Sequence, residues 1–344
     1  MMRLPHFRFM APRSIEEAAK MLAGEGPDAM LMAGGTDLLP NMKRRQQVPK
    51  TLVALRHVAE LRQARNGSGL LLGAGLTLTD LVRNRTVREQ YAGLWQAAVQ
   101  VATPHLRNMG TLGGNLCLDT RCTYYDQNLE WRRAIDYCMK KDGETCWVAP
   151  SSSRCLAVSS TDTAPALTAL GASVRLVSAS GEREVGLVDL YRNDGIDYIT
   201  RRPDEILVDV RLEPADGWQS VYWKLRRRGS FDFPVLSVAA AAKLDGGGAV
   251  DQARIVLGAV ASRPLYCEDA SRFVEGRELS DGVIADAAAK ASKLAKPMDN
   301  TDFTLHWRKR VTAEFVTWAL RELRGDDLSA ERMRIARHDL DSAV

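Results

Sequence analysis

Four cysteines crowd one stretch of this chain. Cys122, Cys138, Cys146 and Cys155 fall within residues 121–155, Cys117 stands just upstream, and the sixth, Cys267, lies far away. Thiolates bind soft metals and exchange electrons, and in the cytoplasmic setting expected for this chain disulfides are rare. The intervals of 15, 7 and 8 residues between the four fit neither the close pairs of zinc motifs nor a ferredoxin run. Spacing alone therefore leaves an iron–sulfur cluster, a zinc ion and unligated thiols all open. "RCTYYDQ" and "CWVAP" add aromatic cover against solvent.

Two glycine turns suggest a second chemistry. "AGGTDLLP" (33–40) and "GTLGGNLC" (110–117) each pair two glycines and add Thr, Asp or Asn. Successive backbone N–H groups in such a turn converge on an anion, and glycine lets a pyrophosphate come close to the chain. Thr36, Thr111 and Asn115 can add side-chain hydrogen bonds. Either motif alone also reads as a tight turn; together they point to a nucleotide cofactor. "GAGLTL" (73–78) lacks the third glycine of a dinucleotide fingerprint and reads as a strand through the core.

These groups need a scaffold. "SIEEAAKMLA" opens a helix with Ser14 as N-cap and Glu17 completing a capping box. "AMLMAGGTDLLP" reads as strand, turn and proline stop; "KTLVALRHV", "GLLLG", "ASVRLVSA" and "EILVDVRLEP" read as strands, and 78–87 and "YAGLWQAAVQVA" as helices. Beyond Pro214–Trp218 two strands are expected around a Gly-rich hairpin at 246–248, then two helices, the second with a core stripe of Trp307, Val311, Phe315 and Trp318. Arg226, Arg227 and Arg228 read as a solvated charge run, His105 as a turn residue, and Cys117 and Cys267 as packed side chains. The mixture without a βαβ rhythm favours α+β. The net charge of +4 is too small and dispersed for nucleic acid, and no apolar run is long enough for a membrane span. The first residues lack the apolar region of a signal peptide.

"AGGTDLLPNMKRR" and "GTLGGNLC", followed in order by "TDTAPALTALGA", "PDEILVDVRL" and "KLRRRGSFDFP", resemble the FAD-binding medium subunit of molybdenum hydroxylases, the xanthine dehydrogenase and carbon monoxide dehydrogenase family. The resemblance covers nearly the whole chain. It implies a vanillyl-alcohol-oxidase-type (PCMH-like) FAD-binding domain in two parts over 1–216 and a small C-terminal α+β domain of the carbon monoxide dehydrogenase flavoprotein type over 217–325; the residues over 326–344 themselves read as a polar, mobile tail. It further implies that Ala33, Gly34, Gly35, Thr36 and Asp37 line the FAD pyrophosphate with Thr111, Gly114 and Asn115, that Asp162 binds the cofactor, and that Leu207 and Lys224 lie near the isoalloxazine ring.

In ordinary members of the family the residues matching Asn115 and Asp162 are near neighbours in sequence; here they are 47 positions apart. A loop over about 117–160 is therefore inserted, and it carries the four cysteines. It is similar to the extra loop of the 4-hydroxybenzoyl-CoA reductase β subunit, which implies a [4Fe–4S] cluster on Cys122, Cys138, Cys146 and Cys155. The resemblance also implies a large molybdopterin subunit, a small [2Fe–2S] subunit, an external ferredoxin-like carrier, a dimer of heterotrimers, and no catalytic residue on this chain. Electrons would run inward to reduce an aromatic CoA thioester on the partner. An oxidative molybdenum hydroxylase with another substrate, and a flavin scaffold stapled by zinc, are the alternatives. Because the flavin cradle lies outside the loop, loss of a loop cysteine is expected to leave FAD largely bound.

Overall fold

Near the start of the chain, β1 (Arg8–Met10), β2 (Ala29–Met32) and β3 (Thr51–Ala54) form a parallel sheet in the order β1-β3-β2. The crossover from β1 to β2 is the helix Ile15–Glu25, whose Ser14 cap accepts from the Glu17 N–H; Glu17 reaches back to the N–H of Arg13, one residue short of the expected capping box. The computed structural model describes residues 2–336.

An antiparallel sheet follows, built from β4 (Ala64–Asn66), β5 (Leu70–Gly73), β6 (Ser173–Ser178), β7 (Gly181–Gly186) and β8 (Ile206–Leu212) in the order β4-β5-β8-β6-β7. Its strand β8 is buried on both faces. Ile206 and Val208 pack on the first helix through Ala18, Ala19 and Leu22, whereas Val210 and Leu212 join the second core with Leu94, Leu112 and Leu167. A register shift opposite Arg175 and Leu176 inserts one residue and moves the apolar set to the other face.

The last sheet is antiparallel: β9 (Trp218–Leu225), β10 (Leu236–Leu244), β11 (Val250–Gly258) and β12 (Leu265–Tyr266), in the order β12-β11-β10-β9. The 246–248 hairpin joins β10 to β11 as expected, but "VYWKL" adds a further strand. One face packs on the helices Asp281–Leu294 and Leu305–Arg324 through Trp223, Val238, Ile255 and Phe315. On the other face Tyr222, Ala239, Ala241 and Val256 meet Ala97, Ala166 and Ala169 of the first part. The expected stripe is a packing face: Val311 and Phe315 are buried, with Trp307 and Trp318 against the same core.

Three expectations need correction. Pro40 is not a stop after the glycine turn but sits in the first turn of the helix Leu38–Lys43, where it has no N–H to miss. "GAGLTL" is a turn ending β5, not a strand; Gly73 and Gly75 press on the Leu61 backbone, and Thr77 caps the next helix with a full capping box. The tail from 326 is no mobile end in its described part: Ser329–Ala336 is a helix, and Arg332 donates to Glu322 and to the Tyr222 carbonyl. Residues 337–344 of that expected tail lie outside the described residues. Among the described residues no helix is long and apolar enough to cross a membrane.

Candidate functional site: two glycine turns, a buried ion pair and a four-cysteine recess

The two glycine turns meet. A Cβ at Gly34 would overlap the Met109 carbonyl, just before the second turn, and Gly35 adopts a φ of 71°, which favours glycine. Thr111 caps the helix Leu112–Leu116 by accepting from the Gly114 N–H at 3.1 Å. Gly113 is packed on Ala74, but Gly114 is exposed, and a Cβ there would meet only Thr111 Oγ1. Ala33, Gly34, Gly35, Thr36 and Asp37 are all half-buried, so the paired turns form a shallow cradle open on one side. Asn115 faces inward: its Oδ1 accepts from both hydroxyls of Thr161 and Thr163 and from the Thr163 N–H.

That tie places Asp162 at the start of the helix Thr163–Ala169. Its buried carboxylate receives the Tyr222 hydroxyl at 2.7 Å and the Lys224 ammonium at 3.0 Å. Burial pushes the Asp162 carboxyl up and the Lys224 ammonium down, and their mutual attraction opposes both shifts. Lys224 also donates to the Gln100 carbonyl, as does Arg226, whose Nε and Nη2 are buried without partners. Arg226 thus departs from the solvated charge run expected of it; Arg227 and Arg228 are exposed. Ser220, Tyr222, Lys224 and Arg226 share the face of β9 turned to the first part, and Val221, Trp223 and Leu225 the opposite face. Strict alternation in "SVYWKLR" is the signal that marks Tyr222 and Arg226. Leu207 belongs elsewhere, to the core around Leu112 and Leu116.

The inserted loop leaves and returns at one point. Arg121 and Val158 exchange both backbone hydrogen bonds, at 2.8 and 2.7 Å, closing a neck below residues 122–157. Above it Cys122, Cys138, Cys146 and Cys155, all free and buried, line one small recess with a cavity volume of about 10 Å³. The Ala157 N–H points at Cys155 Sγ (3.4 Å), and the Tyr125 N–H donates to the Cys122 carbonyl at 2.9 Å. Burial raises the Cys122 thiol to about 12 and the Cys155 thiol to about 11. No group of three or more His, Cys, Asp or Glu among the described residues is set to hold a metal ion as it stands. All four thiols line the one recess, with a backbone N–H at the Cys155 sulfur, and four sulfur donors are a set that a soft metal or an iron–sulfur centre takes.

Buried cations secure this loop, and sequence reasoning missed Lys140 and Arg121 among them. Lys140 donates to Asp119 and Thr120 at 2.8 Å and to the Gly195 carbonyl at 2.6 Å, above the rings of Tyr125 and Tyr198. Arg121 pairs with Asp37 of the first glycine turn and, at 3.0 Å, with Asp126. Cys117 ends the helix Leu112–Leu116 at the edge of the core, Cys267 is buried in the C-terminal core, and His105 is exposed.

Residues 5–214 match the family described as FAD binding domain in molybdopterin dehydrogenase, and 220–323 the CO dehydrogenase flavoprotein C-terminal domain. The chain belongs to this FAD-binding family. It is 33% identical over 290 residues to the aldehyde oxidoreductase FAD-binding subunit PaoB of Escherichia coli (strain K12), covering 81% of this chain and 90% of that protein. It is 28% identical over 293 residues to the carbon monoxide dehydrogenase medium chain of Afipia carboxidovorans, covering 85% and 87%. A chain in the crystal structure of quinoline 2-oxidoreductase from Pseudomonas putida 86 superposes with a TM-score of 0.75 at 26% identity, covering 94% of this chain and 99% of that one. The α+β fold expected from the resemblance is the one observed. FAD is the cofactor of the family, and the open face of Gly114 and the unpartnered Nε and Nη2 of Arg226 are compatible with it. The description of the Escherichia coli relative names FAD, and none of these descriptions names an iron–sulfur cluster.

Proposed function

We propose that this chain is the electron-transferring subunit of a molybdenum-containing oxidoreductase complex, holding FAD and a [4Fe–4S] cluster side by side. The observation that carries the reading is the convergence of four buried thiols on one recess, in a loop whose neck is ion-paired to the first glycine turn. In this reading Ala33, Gly34, Gly35, Thr36, Asp37, Thr111, Gly114 and Asn115 cradle the FAD diphosphate. Asp162 binds the cofactor, and Lys224 and Leu207 lie near the isoalloxazine ring. Cys122, Cys138, Cys146 and Cys155 hold the cluster. A flavin takes electrons singly or in pairs and an iron–sulfur cluster only singly, so the two together match a two-electron reaction to one-electron carriers. The protein's part is to hold both groups, to keep water from the thiols and to fix the ion pair at Asp162.

The partners in this reading are a large molybdopterin subunit, a small [2Fe–2S] subunit and a ferredoxin-like carrier, in a dimer of heterotrimers. For the substrate, the inserted loop supports reductive dehydroxylation of 4-hydroxybenzoyl-CoA on the molybdenum subunit. The relative that is 33% identical across most of its length is named an aldehyde oxidoreductase, which favours an aldehyde oxidised in the opposite direction as the second reading. Turnover of the assembled complex with each substrate separates them.

Elemental analysis of anaerobically purified chain tests the core of the proposal. About four irons per chain are expected. About one zinc and no iron would replace the cluster with a metal-stapled loop.

A further inference from the structure

We infer that Arg121 couples the two cofactor sites, so that cluster and flavin favour each other's binding; this rests on the cluster reading above. The side chain of Arg121 is 9% exposed and stands at the loop's neck, one residue before Cys122. One end of its guanidinium pairs with Asp37; Nη1 donates to Asp126 at 3.0 Å and to Asn41 Oδ1 at 3.2 Å, while the ring of Phe233 lies 4.9 Å from its carbon. Asp126 accepts from the Cys122 N–H at 3.3 Å with its other oxygen. A continuous chain of polar contacts therefore runs from the backbone N–H of Cys122 through Asp126 and Arg121 to Asp37, which opens the helix Leu38–Lys43. Two further contacts lash the loop to the end of that helix: Gln46 donates to the Tyr125 carbonyl at 2.6 Å and Arg132 to the Arg44 carbonyl at 2.8 Å.

The consequence is thermodynamic. Fixing Cys122 on a cluster fixes Asp126, which orders Arg121 and with it Asp37; FAD then meets a turn already in place. Coupling of this kind is reciprocal, so flavin favours the cluster by the same factor. The cradle lies outside the loop but is linked to it through one guanidinium. Flavin remains bound at excess FAD when the cluster is lost, but its affinity falls.

The test uses the full-length chain, kept anaerobic, with iron counted first. The FAD dissociation constant is measured by flavin fluorescence on cluster-loaded protein and on protein stripped of iron by a chelator. Removal of the cluster is expected to weaken FAD about 5-fold or more in the natural chain and to leave it unchanged in Arg121→Met. A ratio of one in the natural chain, or an undiminished ratio in Arg121→Met, overturns the coupling and leaves the cluster reading standing. A chain that takes up no iron overturns both. Should Arg121→Met not fold, Asp37→Asn cuts the same link from the other side, and the same ratio decides.

Discussion

At the scale of single residues, the most exacting interaction is the ion pair of Asp162 and Lys224, 3% and 0% exposed. Two charges taken out of water are tolerated only when each is matched, and here Tyr222 and the Gln100 carbonyl complete the matching. Lys224→Met leaves a carboxylate with one hydroxyl donor in a dry junction. We expect it to cost about 3–5 kcal/mol, read by denaturant unfolding, with a loss of bound flavin. The double variant Asp162→Asn, Lys224→Met is expected to cost less than the sum of the singles, because it strands no charge; strict additivity would mean that the pair contributes nothing as a pair.

At the scale of elements, two glycines separate the cradle from the loop. Gly34 lies where the turns touch, and a methyl there would drive the Met109 carbonyl away. Gly195 lies under the loop, where a Cβ would come within 2.7 Å of Cys155 Sγ. Gly34→Ala is therefore expected to lower bound flavin more than bound iron, and Gly195→Ala iron more than flavin. Equal losses in both would show that the two sites collapse together. Much at this scale was legible in the sequence: the Ser14 cap, the 246–248 hairpin, the final helices and the alternation of β9 are local patterns. What was not legible depends on distant backbone. Nothing near Gly73 or Gly75 announces that they press on Leu61, so their turn reads as a strand. Lys140 and Arg121 look like ordinary charges in a polar loop, because their partners at Gly195, Asp37 and Asn41 are many positions away. The four cysteines were legible as a group, but only the fold shows that their loop closes at Arg121 and Val158.

At the scale of the molecule, one buried arginine braces the C-terminal part and a second, half-buried, joins it to the first part. Arg308 donates to the carbonyls of Val235, Ala259 and Met298, fixing the long helix Leu305–Arg324 to the sheet it covers. Arg332, on the last described helix, reaches Glu322 at 2.5 Å, Gln96 at 3.1 Å and the Tyr222 carbonyl at 3.2 Å, and lies 4.2 Å from the Trp223 ring. Gln96 belongs to the first part, and its side-chain oxygen also accepts from the Tyr222 N–H at 2.6 Å. One guanidinium thus joins the C-terminal helix, β9 and the helix Ala92–Val99, on the strand that carries Lys224. Arg332→Ala leaves Glu322 and Gln96 half-matched and is expected to cost about 1–3 kcal/mol. Because the loss falls on the junction and not inside either core, calorimetry should show the C-terminal part melting ahead of the first, with flavin released in that earlier transition. A single transition lowered as a whole, with flavin held until the end, would place the cofactor's support entirely in the first part and leave Lys224 a structural residue.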